Sequence, residues 1–328
     1  MKIINFDLLK SAVNGALRVY ENENKLILRR FTLKQEEFFK KTLNYVDKPS
    51  KAKASTSMVI DFISNTNRIE FSAKTFVSST RTPCFFDVYQ DGELIAHNGY
   101  NIKKDGSVNV KVDFKQGEKR IKIYLPCLFE AQFENFLIDD EATFVRYEHS
   151  MKWLFLGDSI TQGYVADYPS RTYANQVANA FDANAVNQSI GGAYFMAEDL
   201  DEDVNFNPDI VTVAYGTNDW AHGYDIENNA NKYFEKLVKI FPNKKIICIT
   251  PIWRGDMDIR ETTETMPFEQ VQGLLKGICK KFNIDTVDGS KLVDGDFSNF
   301  IEDRLHPNDK GFDQYAKNLI KELKALGI

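Results

Sequence analysis

The chain carries too little positive charge for a nucleic-acid partner. Its 41 Lys and Arg stand against 47 Asp and Glu, a net charge of −6 with a pI near 5.4, whereas binding to a phosphate backbone calls for a basic excess. Long apolar runs are missing as well: nowhere do about eighteen apolar residues follow one another, so no spanning helix and no membrane partner are expected. The opening residues Met1-Lys2-Ile3-Ile4-Asn5-Phe6-Asp7 are broken by polar side chains before an apolar stretch reaches signal-peptide length, and a cytoplasmic location is the expectation. Cysteine is scarce and scattered at Cys84, Cys127, Cys248 and Cys279, without a C-x-x-C pair, which argues for small buried hydrophobes over redox or metal chemistry.

Several glycine signatures are also lacking. Neither G-x-G-x-x-G nor G-x-x-x-x-G-K-[ST] occurs, which removes the usual dinucleotide and ATP sites, and Gly157-Asp158-Ser159-Ile160-Thr161 lacks the second glycine of a G-x-S-x-G elbow. Asp199, Asp201, Asp203, Asn205 and Asn207 mimic the start of a calcium loop. Val204 stands where that loop needs glycine, however, and Ile210 where it needs glutamate, so a solvated loop is the better reading. No metal and no cofactor are expected.

What is present is a globular composition, 43% hydrophobic and 27% charged, in 328 residues, long enough for two domains. Up to about residue 146 the pattern alternates with period two over strand lengths, at Leu26–Leu28, Met58–Phe62, Arg68–Ser72, Phe85–Tyr89, Val108–Val112 and Arg120–Tyr124. Turn signals separate these runs, Asp91-Gly92 being the clearest hairpin, and the arrangement predicts a β-sandwich over residues 1–148. Phe6 to Ala16 reads as a short amphipathic helix, Thr32 with Gln35 and Glu36 as a capped helical turn, and the polar stretch Asp47 to Thr56 as a loop.

After Ser150 the rhythm changes. Short continuous apolar runs at Trp153–Leu156, Ala185–Asn187, Ile210–Ala214, Ile246–Ile249 and Ile284–Val287 alternate with helical stripes, such as that of Phe268, Val271, Leu274, Leu275, Ile278, Cys279 and Phe282. This predicts an α/β domain over residues 149–328, a parallel sheet between helices, with ligands bound beyond the carboxyl ends of its strands. Ser159 follows the first strand, Gly191-Gly192 the second and Gly216-Thr217-Asn218-Asp219 the third, while Asp303-Arg304-Leu305-His306 precedes the last helix. All these loops fall on one edge.

Their chemistry is complementary. A serine hydroxyl needs a base to take its proton as it attacks, and His306 can serve if a carboxylate three residues earlier, Asp303, turns back to hold its Nδ1 proton and leaves Nε2 facing Ser159. The backbone N–H groups of Gly192 and Ser159 and the side-chain amide of Asn218 are the candidate oxyanion donors. Ser159 and His306 are both expected to be partly exposed at a loop edge. His97 and His149 show no partner in the sequence.

Gly157-Asp158-Ser159-Ile160, the Asn187-to-Gly192 turn, Gly216-Thr217-Asn218-Asp219 and Asp303-x-x-His306 together resemble the ordered blocks of the SGNH (GDSL-type) hydrolase family. The resemblance implies a flavodoxin-like three-layer fold, ester hydrolysis by a Ser-His-Asp triad and no metal. A preceding sandwich, jelly-roll-like, is similar in layout to bacterial carbohydrate acetylesterases, which points to deacetylation of a small-molecule or oligosaccharide ester. Tyr194, Trp220, His222 and Trp253 are the candidate substrate-binding residues. A lysophospholipase or thioesterase acting on longer acyl chains is the alternative within the enzyme class; outside it stands a non-catalytic carbohydrate-binding protein using surface aromatics such as Tyr89 or Tyr100. The sequence carries no signal for oligomeric state.

Overall fold

The structure is a computed structural model, and it describes residues 1–42, 47–257 and 266–328. The amino-terminal part holds two antiparallel sheets. In one, β3 (Arg18–Asn22), β4 (Lys25–Arg29), β11 (Phe129–Ile138), β6 (Arg68–Val77) and β9 (Gly106–Asp113) lie in that order, with β1 (Lys2–Ile3) paired to β11. In the other the order is β12 (Val145–Arg146), β5 (Val59–Ser64), β10 (Lys119–Tyr124), β7 (Pro83–Gln90) and β8 (Glu93–Asn101), with β2 (Val13–Asn14) paired to β5. Phe71, Phe133 and Phe136 of the first sheet meet Phe62 and Phe86 of the second in one buried core, so the pair is a β-sandwich.

The predicted strands of this half are all present, and Asp91 and Gly92 make the β7–β8 hairpin with positive φ at both positions (49° and 87°), the conformation a two-residue turn demands. Three expectations are corrected. The first helix, α1 (Phe6–Ser11), stops well short of Ala16, because the chain passes into β2 and then through Gly15, where φ is +80° and an added Cβ would lie 2.4 Å from the Ser57 carbonyl. The capped turn at Thr32 extends into a full helix, α2 (Leu33–Lys41), held by a capping box between Thr32 and Gln35. Within the stretch read as a loop, Asp47 caps one helical turn, α3 (Lys48–Lys51).

The second half is a parallel sheet in the order β14 (Ala183–Asn187), β13 (Met151–Gly157), β15 (Ile210–Ala214), β16 (Lys245–Ile249), β17 (Asp285–Val287). This is the flavodoxin-like order, whose switch point lies between the first and third strands. Both faces are buried. Leu154 and Leu156 of β13 enter the core that includes Leu237 of α7 (Ile226–Ile240) and Leu275 of α8 (Phe268–Lys281), while Trp153 and Phe155 enter the core of α5 (Tyr173–Ala180) and α9 (Asp309–Ala325). The first core also contains Phe31, Phe39 and Ala52, so α2 and the end of α3 help to cover the parallel sheet. All four cysteines are buried and free.

The two histidines without a visible partner both have one. His97 Nδ1 lies 2.6 Å from Asp87 Oδ1, with its ring stacked between Phe85 and Tyr168, and Asp87 Oδ2 accepts the Ser170 N–H at 2.9 Å. His149 sits between Asp61 (3.3 Å) and Asp182 (3.2 Å). Both join the sandwich to the parallel-sheet part.

Candidate active site

β13 delivers Ser159 to the sheet edge. Gly157 ends the strand, and a side chain there would collide with Thr161 Oγ1 at 2.2 Å, so only glycine lets the next turn fold back on the strand. Asp158 caps that turn, α4 (Ser159–Gln162), by accepting the Ile160 N–H at 2.9 Å. Ser159 is 9% exposed, more enclosed than a loop-edge residue, because α4 is buried along its whole length.

Ser159 Oγ lies 2.8 Å from His306 Nε2. On the far side of the imidazole, Nδ1 is 2.6 Å from Asp303 Oδ2, and Asp303 Oδ1 accepts the backbone N–H of Leu305 (2.9 Å) and of His306 (3.0 Å). Burial alone would raise the Asp303 pKa, but the bonds to His306 and the two N–H groups outweigh it and bring it down to about 2. The reversal of the chain passes through Arg304, with φ +54°, and the loop is tied down by Ile301 N–H to His306 O (3.0 Å) and Gly255 N–H to Arg304 O (2.8 Å). Tyr164 packs on the His306 ring at 4.5 Å, and its hydroxyl bonds Thr80 of the sandwich at 2.8 Å. Asn308 then caps α9 through Gly311 N–H.

The Asn187-to-Gly192 turn runs beside Ser159. Asn187 organises it: Oδ1 accepts the Ser189 N–H at 3.0 Å while Nδ2 donates to Thr161 O at 2.9 Å and Ser57 Oγ at 3.1 Å. The Gly191 N–H is taken by Gln162 Oε1 at 2.7 Å, whereas the Gly192 N–H has no acceptor among the described residues. Asn218, in the first turn of α6 (Thr217–Ala221), donates one Nδ2 hydrogen to Ala193 O at 2.8 Å, which fixes its amide against the same turn.

The candidate substrate residues divide. Trp220 is corrected: it is only 2% exposed, packed against Phe268 and Arg254, with its indole N–H on Met266 O at 2.8 Å, so it belongs to the core. Tyr194 packs at a tilt against Tyr224 with ring centroids 4.5 Å apart, and the exposed His222 ring lies 5.6 Å from Tyr224, so these three form one aromatic patch two residues past Gly192. Trp253 stands apart, lining an open cleft of about 580 Å³ with Gly255, Met257, Phe297 and Arg304. The phenols of Tyr89 and Tyr100 are engaged internally, by Ser170 (3.0 Å) and by Thr75 (2.6 Å).

Residues of the amino-terminal part also reach the site, and nothing in the sequence announced them. The buried guanidinium of Arg30 donates to the carbonyls of Asn187 (2.8 Å), Ser189 (2.6 Å), Ala54 (3.0 Å) and Lys51 (2.8 Å). Gln35 bonds Gln188, and Lys51 Nζ donates to Gly191 O at 2.8 Å. The carboxylates of the mock calcium loop are held by side chains: Asp199 pairs with Lys48 at 2.6 Å, and Asp201 accepts the Thr32 hydroxyl at 2.6 Å. Two further acids lie beneath the site. Burial pushes the pKa of Asp158 and that of Asp219 up to about 7, and Asp219 Oδ1 accepts the Phe195 N–H at 3.1 Å.

Residues 155–314 match the family model of GDSL-like lipases and acylhydrolases. No curated protein matches the sequence. Among solved structures, the chain is similar to the salicylyl-acyltransferase SsfX3 of a tetracycline biosynthetic pathway, at 18% identity over 96% of this chain and 94% of that one, with a TM-score of 0.80. It is also similar to a family two carbohydrate esterase from Clostridium thermocellum, solved in complex with cellohexaose (15% identity, 84% and 94% covered, TM-score 0.64). A third is an acetyl xylan esterase from the rumen bacterium Butyrivibrio proteoclasticus (17% identity, 84% and 91% covered, TM-score 0.58). These likenesses extend over the sandwich as well as the parallel sheet.

Proposed function

We propose that the protein is a serine esterase that removes acetyl groups from acylated carbohydrate. The observation that carries the reading is the unbroken relay from Ser159 Oγ through His306 to Asp303, at 2.8 and 2.6 Å. In this mechanism His306 Nε2 takes the Ser159 proton as Oγ attacks the ester carbonyl, and Asp303 holds the imidazolium. The N–H groups of Ser159 and Gly192 and the free amide hydrogen of Asn218 receive the developing oxyanion. Collapse expels the alcohol, which takes the proton from His306. Water, deprotonated by the same imidazole, then releases acetate from Ser159.

A short acyl group on a carbohydrate alcohol is suggested by the likeness to an acetyl xylan esterase. The aromatic cleft at Trp253 and the Tyr194–Tyr224–His222 patch suit the flat faces of a sugar in the alcohol part. We assign the sandwich to residues 1–148 and the hydrolase unit to 149–328, and we read the four unpaired, buried cysteines as those of a chain kept in a reducing cytoplasm. Acetyl, butyryl and octanoyl esters together with acetylated xylo-oligosaccharide test the substrate. Preference for the acetyl compounds is expected; fastest turnover of the octanoyl ester would replace this reading with that of a lysophospholipase or thioesterase.

A further inference from the structure

We infer that Lys51 is a positioning residue for the oxyanion site, polarising the peptide whose N–H receives the charge. The inference rests on the esterase reading above and adds to it a residue from outside the matched family region. Lys51 ends α3, in the amino-terminal part, and its Nζ donates to the carbonyl of Gly191 at 2.8 Å. That carbonyl belongs to the same peptide unit as the Gly192 N–H. A cation on the oxygen draws electron density through the amide and makes the N–H at its other end a stronger donor, as hydrogen bonds in a chain strengthen one another.

Four observations make this more than an incidental contact. The amino group is close to the reacting serine: a methyl built on Gly191 would lie 3.8 Å from Lys51 Nζ and 3.5 Å from Ser159 Cβ. Its charge is not neutralised, for Lys48 one turn earlier pairs with Asp199, whereas Lys51 has no carboxylate at ion-pair distance among the described residues. The peptide cannot swing away to meet the cation elsewhere, because the neighbouring Gly191 N–H is held by Gln162 at 2.7 Å and Arg30 grips Asn187 and Ser189. Lys51 is itself fixed, since its own carbonyl accepts from Arg30 at 2.8 Å, and burial lowers its pKa against the opposing charge of Asp47. A half-buried ammonium with no carboxylate at ion-pair distance is costly to keep. Here it is spent on one carbonyl of the turn that faces the nucleophile.

The test uses the full chain, with wild type, Lys51→Met and Lys51→Arg compared on 4-nitrophenyl acetate, and with Ser159 titrated by a fluorophosphonate. Lys51→Met keeps the donor and removes only the cation behind it. Its kcat is therefore expected to fall about tenfold, less than the hundredfold or more that follows loss of an oxyanion donor itself, with KM within twofold and the melting temperature nearly unchanged. Lys51→Arg, which retains a charged donor, should hold most of the wild-type kcat. Equal losses in the two variants would assign the effect to packing and overturn the inference, as would a Lys51→Met enzyme with wild-type kcat. In either case a wild-type Ser159 that labels fully leaves the esterase reading standing. A Ser159 that resists the reagent overturns that reading and this inference together.

Discussion

Asp303 grips His306 at two levels: Oδ2 meets the imidazole Nδ1 at 2.6 Å, and Oδ1 accepts the His306 backbone N–H at 3.0 Å. The same carboxylate therefore sets both the ring's tautomer and the path of the loop that carries it. Asp303→Asn is expected to reduce kcat by roughly 10²- to 10⁴-fold, since an amide in that place favours the wrong tautomer. It should also lower the melting temperature, because an amide oxygen replaces a carboxylate that accepts two backbone N–H groups. Steady-state kinetics and thermal denaturation on one preparation measure both effects.

The pH dependence of stability contains a matching signature at the low end. Asp303 has a folded pKa of about 2, below the ordinary carboxylate value, so its contribution is fully present above about pH 4 and is lost as pH falls toward 2. Asp303→Asn should therefore narrow its stability gap from wild type over that window, in melts recorded between pH 2 and 5.

Ser159→Ala and His306→Ala should each remove nearly all ester hydrolysis, on the order of 10⁴-fold or more. The two single losses are expected to be similar and the double variant no worse than either, because in the proposed mechanism nucleophile and base act as one unit. Far-ultraviolet circular dichroism should match wild type, for Ser159 is held through its backbone turn and His306 through its loop.

Asn218→Ala removes one proposed oxyanion donor and the bond to Ala193 O. Its kcat should fall by about 10²- to 10³-fold with little change in KM, the mark of a contact made in the transition state. A KM that rises while kcat stays constant would show instead that the amide binds the ground state.

Asp219 predicts the opposite pH trend to Asp303. Its folded pKa, raised to about 7 by burial, lies above the unfolded value, so the fold holds a proton that the unfolded chain releases, and stability is lost as pH rises from about 4 to 7. The loss between pH 5 and pH 8 is on the order of 2 kcal/mol. Asp219→Asn keeps an acceptor for the Phe195 N–H and should flatten that decline; melting temperatures at pH 5 and 8 give the comparison.

The parts of the site that were legible in the sequence are those whose geometry is local. Asp303 and His306 lie within one turn, Gly157 and Ser159 share another, and short apolar runs announced each strand of the parallel sheet. β11 was missed because a bulge between Phe133 and Asn135 switches its buried positions from odd (Phe129, Ala131, Phe133) to even (Phe136, Ile138), which hides the alternation. Arg30, Gln35 and Lys51 were invisible for another reason: their partners at the site lie 140 to 159 residues away, and nothing in their own neighbourhood marks them as site residues. Trp220 was misplaced because an aromatic beside Asn218 suggests a platform, whereas the turn of α6 points it inward at Phe268.

The entry of Phe31, Phe39 and Ala52 into the core of the parallel sheet bears on how such proteins are assembled. If the chain were cut between the two rhythms at residue 149, the hydrolase unit would lose part of its apolar cover along with the clamp on its glycine turn. Exchange of this unit with that of a relative would therefore need to carry residues 30–54 with it. The two halves are interlocked parts rather than interchangeable modules, joined physically through residues 30–54 as well as at the point where they join in sequence.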